Sequence, residues 1–308
     1  MKQPDFFIVG APKCGTTFLY SHLKNHPEIF MPERKELHYF GTDLYHPDFV
    51  RDTTTYLSFF QNAENERRIG EASVWYLYSK QAAREIKAFS PSAQIIIMLR
   101  NPVDMIYSLH SQYLYNGCED IVDFEDALGK EALRKKGLFL PKNAYPVEGL
   151  FYRETAKYTQ QIKRYFEIFD NKAIHFIIFD DIRNNPQASL RDTFRFLGVN
   201  EDICNDTKLI NPNKRAKSVL LRNLLQNPPP FLLNMSRRLI PHAIRSRMRK
   251  GMWDFNIRYK SRIPMRSELR KRLQDEFKPE IKQLSDMLGR DLNYWCSHVT
   301  LYFFEKFQ

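Results

Sequence analysis

No stretch of this 308-residue chain approaches the roughly 18 uninterrupted apolar residues that a membrane-crossing helix requires, which excludes a polytopic membrane protein. Cysteine is scarce. Cys14, Cys118, Cys204 and Cys296 stand far apart, with no C-x-x-C pair and no metal-ligand spacing. That usage argues against a disulfide framework or a bound metal and predicts a reducing, cytoplasmic setting. There is no internal repeat and no low-complexity tract; the one abrupt shift of composition is NPPPF at 227–231. The opening MKQPDFFIVG runs straight into structure-forming sequence, without an apolar leader core or a small-residue cleavage site, and predicts no secretion signal. Acidic residues are almost missing from 208–262, where 14 Lys and Arg meet only Asp254. The net charge of +11 is therefore regional, because the rest of the chain is close to neutral. Such a field gathers anionic ligands, nucleic acid or an acidic membrane surface, and composition does not choose among them.

What is present is a set of short apolar runs. DFFIVG (5–10), AQIIIMLR (93–100) and AIHFIIFD (173–180) lack polar alternation, as parallel strands buried on both faces do. Each leads into helix-like sequence: TTFLYSHLKNH, then PVDMIYSLHSQYLYNG with its early proline, then PQASLRDTFRFLGV closed by Gly198. Further helices are predicted over 51–61, 78–89, 149–169 and about 265–288, the last kinked or split at Pro279. The pattern predicts a three-layer α/β/α fold with a central parallel sheet, one domain over 1–308, and a basic lid or helical region at about 208–308.

The chemistry concentrates in Gly10-Ala-Pro-Lys13-Cys14-Gly15-Thr16-Thr17, between the first strand and the first helix. Its two glycines have the G-x-x-x-x-G spacing of a P-loop, but Thr16 holds the usual lysine position and the lysine lies three residues earlier, at Lys13. Backbone amides at that helix start still form an anion nest, to which the Thr16 and Thr17 hydroxyls add donors. The second apolar run ends in Arg100, where a nucleoside triphosphatase would carry a magnesium-holding Asp. A P-loop nucleotide kinase is thereby the weaker reading. A nucleic-acid-binding protein would explain the basic block but not the phosphate loop, and no known nucleic-acid module is present.

The segment APKCGTTFLYSHLKNHPEI resembles the 5′-phosphosulfate loop of the sulfotransferases that use 3′-phosphoadenylyl sulfate (PAPS), and IIIMLRNPVDMIYSLHSQY resembles their 3′-phosphate-binding strand and helix. FDDIRNNPQASLRDTFRFLGV is similar to a third block of that family, so the resemblance spans about 5–216. It implies a P-loop-containing fold, PAPS as co-substrate and adenosine 3′,5′-bisphosphate (PAP) as product, with no metal. It also implies that Lys13, Cys14, Gly15, Thr16 and Thr17 hold the phosphosulfate while Arg100 and Ser108 converge on the 3′-phosphate. Lys13 suits the neutralisation of charge on the bridging oxygen as the S–O bond breaks. Lys214 and Arg215, in the basic loop after the FLG helix end, are further candidates for the 3′-phosphate.

KELHYF (35–40) is similar to the branch that includes the heparan sulfate enzymes, a resemblance that implies Glu36 as the base acting on the acceptor hydroxyl and His38 as its orienting partner. Other branches use a histidine base, so His38 stays open as the alternative, with His110 behind it. The sequence departs from the heparan type in GEASVWYLYS, where Ala72 stands at a lysine position; Lys35 is a candidate replacement for that charge. The expected activity is transfer of a sulfuryl group to a hydroxyl, or second to an amine, of a saccharide or small natural product, by a bacterial-type soluble enzyme. No nucleic-acid partner is expected. The mixed basic and apolar stretch 236–262 suits an acceptor lid, an anionic acceptor or a peripheral membrane contact.

Overall fold

The computed structural model describes residues 2–202, 214–218, 242–259 and 262–297, together with Leu221, Leu224, Leu225 and Pro228. Cys204 and most of the 228–241 segment lie outside the described residues. The chain divides into two compact units, one formed by 1–109, 145–211 and 265–308, the other by 110–144 and 212–264.

The first unit is built on five parallel strands, β1 (Phe6–Gly10), β2 (Ile29–Phe30), β3 (Arg68–Ala72), β4 (Gln94–Leu99) and β5 (Ile174–Ile178), in the order β2-β3-β1-β4-β5. All five residues of β1 are buried, as are all of β4 beyond Gln94, which is why these runs show no polar alternation. Successive connections leave β1 toward β2 on one side and toward β4 on the other. With right-handed crossovers this places helices on both faces and makes the C-terminal end of β1 the switch point of the sheet, the usual ligand crevice of such folds.

Helices α1 (Thr16–Lys24), α2 (Thr53–Ser58), α3 (Ala82–Phe89) and α4 (Pro102–Asn116) follow the expected order. Asp52 caps α2 by accepting the Thr55 N–H, and Asn101 caps α4 by accepting the Val103 N–H at 3.0 Å. Two strands were not anticipated, and two expectations are corrected. The residues of β3 and β2 were not legible as strands: RIGEA carries two charges and a glycine, and its burial comes from pairing between β1 and β2 rather than from its own hydrophobicity. Gly70 is required there, since a Cβ would stand 2.1 Å from the Phe6 ring.

The helix expected over 149–169 is broken. A 3₁₀ turn (Val147–Leu150) precedes α7 (Tyr152–Thr155) and α8 (Tyr158–Phe166), the short α5 (Phe124–Gly129) and α6 (Glu131–Arg134) coming earlier in the second unit. Side chains take over the carbonyls that the break frees: the Thr155 hydroxyl donates to Tyr152 O at 2.7 Å, and the Gln161 amide donates to Thr155 O at 3.1 Å.

After β5 the chain enters α9 (Phe179–Asn184) and α10 (Pro186–Leu197), the latter ended by left-handed Gly198 at φ 69°. The second unit contains α11 (His242–Phe255) and an antiparallel pair, β6 (Lys214–Ala216) with β7 (Ile257–Tyr259). Along α11, Ile244, Met248, Met252 and Phe255 are exposed.

The last correction concerns α12 (Ser267–Leu288), which continues through Pro279 without splitting. Pro279 and Asp275 are both exposed, so the carbonyl that loses its partner faces water, while the buried stripe Leu269, Leu273, Phe277, Ile281 and Leu284 runs along the other side.

Candidate functional site

The loop after β1 is shaped by glycine where nothing else fits. Gly10 has φ 137°, and a Cβ on it would lie 2.4 Å from Val74 O; Gly15 has φ 91°, and a Cβ would lie 3.1 Å from the Phe179 ring. Between them the Ala11 N–H donates to Met98 O at 2.7 Å, tying the loop to β4. The chain then turns into α1, whose first residues are Thr16 and Thr17. A helix start with free amides and two hydroxyls is suited to an anion. Cys14 is fully buried between Pro12 O and the Tyr158 hydroxyl, and burial pushes its thiol up to about 12, which leaves the sulfur protonated and unreactive near neutrality.

Arg100 comes to this loop from the end of β4. Its Nη1 donates to Lys13 O at 3.3 Å and its guanidinium lies over the Phe179 ring, 4.5 Å from the centroid. Ser108 is buried two turns into α4. Lys214 and Arg215 fall on β6 of the second unit, and their side chains lie outside the described residues. The His110 ring contacts Ile121 O at 2.9 Å within the second unit, which occupies one ring nitrogen.

The segment 35–40 runs beside the P-loop. Lys35 Nζ donates to the Thr16 hydroxyl at 3.2 Å and pairs with Glu36 Oε1. Glu36 Oε2 accepts the Val74 N–H at 2.9 Å and lies 3.0 Å from His38 Nε2. Burial pushes the Glu36 carboxyl up, but Lys35 and His38 outweigh it and hold the group at about 2. Burial lowers His38, against the opposing pull of Glu36. Its ring packs 4.3 Å from that of Phe49.

Among the described residues, four non-glycines have positive φ, and three are Lys13 (62°), Glu36 (65°) and His38 (52°). A left-handed conformation is costly for these residue types, and its concentration in the three candidates for chemistry is what a functional site produces.

Several residues that hold this geometry carried no sequence signal. Arg51 donates to four carbonyls of the loop, those of Tyr39, Phe40, Gly41 and Leu44, at 2.7–3.1 Å, using the breadth of its planar fork. Ser73 accepts the His38 N–H at 2.9 Å, and Glu71, 1% exposed, accepts from Tyr56, Ser73 and Tyr76.

A parallel sheet with an anion loop at its switch point, flanked by a basic strand end and a Lys-Glu-x-His segment, defines a P-loop group-transfer enzyme. The family model described as "Sulfotransferase domain" matches residues 3–254, and the chain belongs to that family, whose members take a sulfuryl group from PAPS. Human carbohydrate sulfotransferase 15 is 26% identical over 251 residues, covering 64% of this chain and 44% of that protein. Human bifunctional heparan sulfate N-deacetylase/N-sulfotransferase 2 is 26% identical over 207 residues, covering 64% of this chain and 22% of that protein. The chain thus spans less than half the length of these curated relatives. The crystal structure of a sulfotransferase from Alicyclobacillus acidocaldarius, 28% identical, superposes with a TM-score of 0.73 over 96% of this chain and all of that one.

Proposed function

We propose that this chain transfers the sulfuryl group of PAPS to a hydroxyl, with an amine as the lesser alternative, of a saccharide or small natural-product acceptor. The observation that carries the reading is the Lys35 bridge, which joins the Thr16 hydroxyl at the anion loop to the carboxylate of Glu36. One charged group thereby links the loop suited to phosphosulfate with the group suited to an acceptor proton. The relatives named for carbohydrate and heparan sulfate substrates support a saccharide.

In this reading the acceptor oxygen attacks sulfur in line, and Glu36 takes its proton. The bond from sulfur to the bridging oxygen breaks, and its electron pair stays on the 5′-phosphate of PAP. Lys13 neutralises that oxygen, an electrostatic contribution aimed at the transition state. Lys35 supplies the charge missing at Ala72. A carboxylate at about 2 is a weak base. When the phosphosulfate draws Lys35 toward itself, Glu36 loses its cation and its basicity rises, so donor binding and base activation are coupled. Arg100 and Ser108 remain the candidates for the 3′-phosphate, and Lys214 and Arg215 are further candidates for it. A cytoplasmic site of action is part of the proposal, on the sparse and scattered cysteines of the sequence.

The test is calorimetric binding of PAP without magnesium, followed by PAPS with an acceptor panel scored for a mass gain of one SO₃. Lys13→Ala should cut turnover roughly 10²-fold while PAP affinity changes far less. Stabilisation by ATP with magnesium and none by PAP would replace this reading with a kinase.

A further inference from the structure

Glu71 is a buried carboxylate that the reaction above does not use. It sits in β3 among three hydroxyls, accepting from Tyr56 at 3.1 Å, from Tyr76 at 2.9 and 3.1 Å, and from Ser73. Two of those hydroxyls also face the 35–40 segment. The Ser73 oxygen accepts the His38 N–H at 2.9 Å, and the Tyr76 oxygen accepts the Phe40 N–H at 3.3 Å. A hydroxyl has one hydrogen, and a carboxylate can only accept. By taking that hydrogen from both, Glu71 leaves their lone pairs for the two loop amides.

We propose that Glu71 is a positioning residue for the Glu36–His38 pair: it sets the direction of the Ser73 and Tyr76 hydroxyls, and through them it holds the backbone at 38 and 40. The inference rests on the reading of Glu36 and His38 as the acceptor-activating pair. The left-handed His38 is the point at which the loop most needs such restraint, because its φ of 52° is intrinsically unfavourable. Its backbone is fixed by Ser73, and its ring meets Tyr76 edge-on at 5.8 Å while reaching Glu36 at 3.0 Å.

Protonation disrupts this arrangement. A neutral carboxyl brings its own O–H into a site where all three neighbours already donate, so one hydroxyl must turn its hydrogen away to accept it, and the direction it presents to the loop amide changes. Burial raises the Glu71 carboxyl to about 7, with the charge of Glu36 adding to the effect and the hydroxyl bonds opposing it. Of the other groups around it, burial and the Glu71 charge drive Tyr56 and Tyr76 well above their ordinary values, and burial does the same to Tyr165. Lys35 and His38 hold Glu36 at about 2, and burial lowers His38 against the pull of Glu36, so the loss of the step in Glu71→Gln is what separates Glu71 from the imidazole. Arg51, whose charge acts on Tyr76, stays protonated throughout.

The experiment uses the full chain and two readouts. In the wild type, the amide NMR signals of His38 and Phe40 should shift together with a midpoint near pH 7, and in Glu71→Gln this step should vanish. Release of PAP from PAPS with water as acceptor should fall about tenfold or more in Glu71→Gln at pH 8, with PAP affinity within about twofold. The acid limb of its pH profile should disappear, and Glu71→Asp should recover part of the rate. Should Glu71→Gln fold poorly, the wild-type titration and Ser73→Ala decide the matter, the latter abolishing the His38 response alone. Amides at 38 and 40 that ignore pH between 5 and 9 overturn the proposal. So does a Glu71→Gln variant that loses stability but keeps the wild-type rate and pH profile. Failure of the wild type to bind PAP would sink the sulfotransferase reading instead, and leaves the amide titration as a decisive test of Glu71.

Discussion

Lys35 Nζ lies 3.2 Å from the Thr16 hydroxyl while its ammonium also pairs with Glu36. The start of α1 and the Lys-Glu-x-His segment are therefore connected by one side chain, although 19 residues separate them. Lys35→Ala should lower turnover about tenfold or more and weaken PAP binding by a smaller factor, both measurable by single-turnover kinetics and calorimetry. The same change removes the cation that holds Glu36 down, so the Glu36 carboxyl should move up toward its ordinary range. An unchanged Glu36 titration in Lys35→Ala would contradict the pairing.

The base assignment gives a second prediction. Glu36→Gln keeps shape and removes basicity, so turnover should drop roughly 10²-fold with PAP affinity nearly intact, and His38→Ala should do less harm. With Glu36 at about 2 before the donor binds, no limb from it in kcat/KM falls in a range where the enzyme is readily assayed. A limb near neutrality should accordingly be insensitive to His38→Ala and should be lost with Glu71→Gln. Loss of that limb in His38→Ala alone would move the base to the imidazole.

Glu71 also makes stability depend on pH in a defined direction. Its folded carboxyl is raised from 4.5 to about 7, so between those values the native state binds more protons than the unfolded chain. Stability from this group is full below about pH 4.5 and is lost as pH rises through about 7, by up to about 3 kcal/mol. Urea unfolding of wild type and Glu71→Gln at pH 5 and pH 8 should show the larger decline in the wild type. Equal declines would remove Glu71 as the cause.

Gly10→Ala should be among the most damaging single substitutions in the chain. It places a Cβ 2.4 Å from the Val74 carbonyl at a φ of 137°, and Val74 is the residue whose N–H holds Glu36. A loss of about 2 kcal/mol or more and of PAP binding is expected, by thermal unfolding and calorimetry. Wild-type PAP affinity in that variant would show that the loop can be rebuilt without glycine.

The parallel core strands were legible because β1, β4 and β5 are continuous apolar runs, and the anion loop because its function needs only consecutive residues in one turn. Strand β3 was not legible, since its five residues are buried by neighbours rather than by their own composition. The break before α8 was equally hidden, because it depends on Thr155 and Gln161 finding carbonyls across a turn.

The sequence by itself determined the family resemblance, the phosphate loop around Lys13 and the pairing of Glu36 with His38, which lie two residues apart and meet through local backbone geometry. Tertiary structure decided how that pair is held. Arg51, Ser73 and Tyr76 act on the 35–40 segment through hydrogen bonds whose partners are 11 to 36 residues apart, and Glu71 accepts from the Ser73 and Tyr76 hydroxyls. Which buried hydroxyl donates and which accepts there follows from the single acceptor-only group at their centre, a property that exists only once β3 and the loop are packed together.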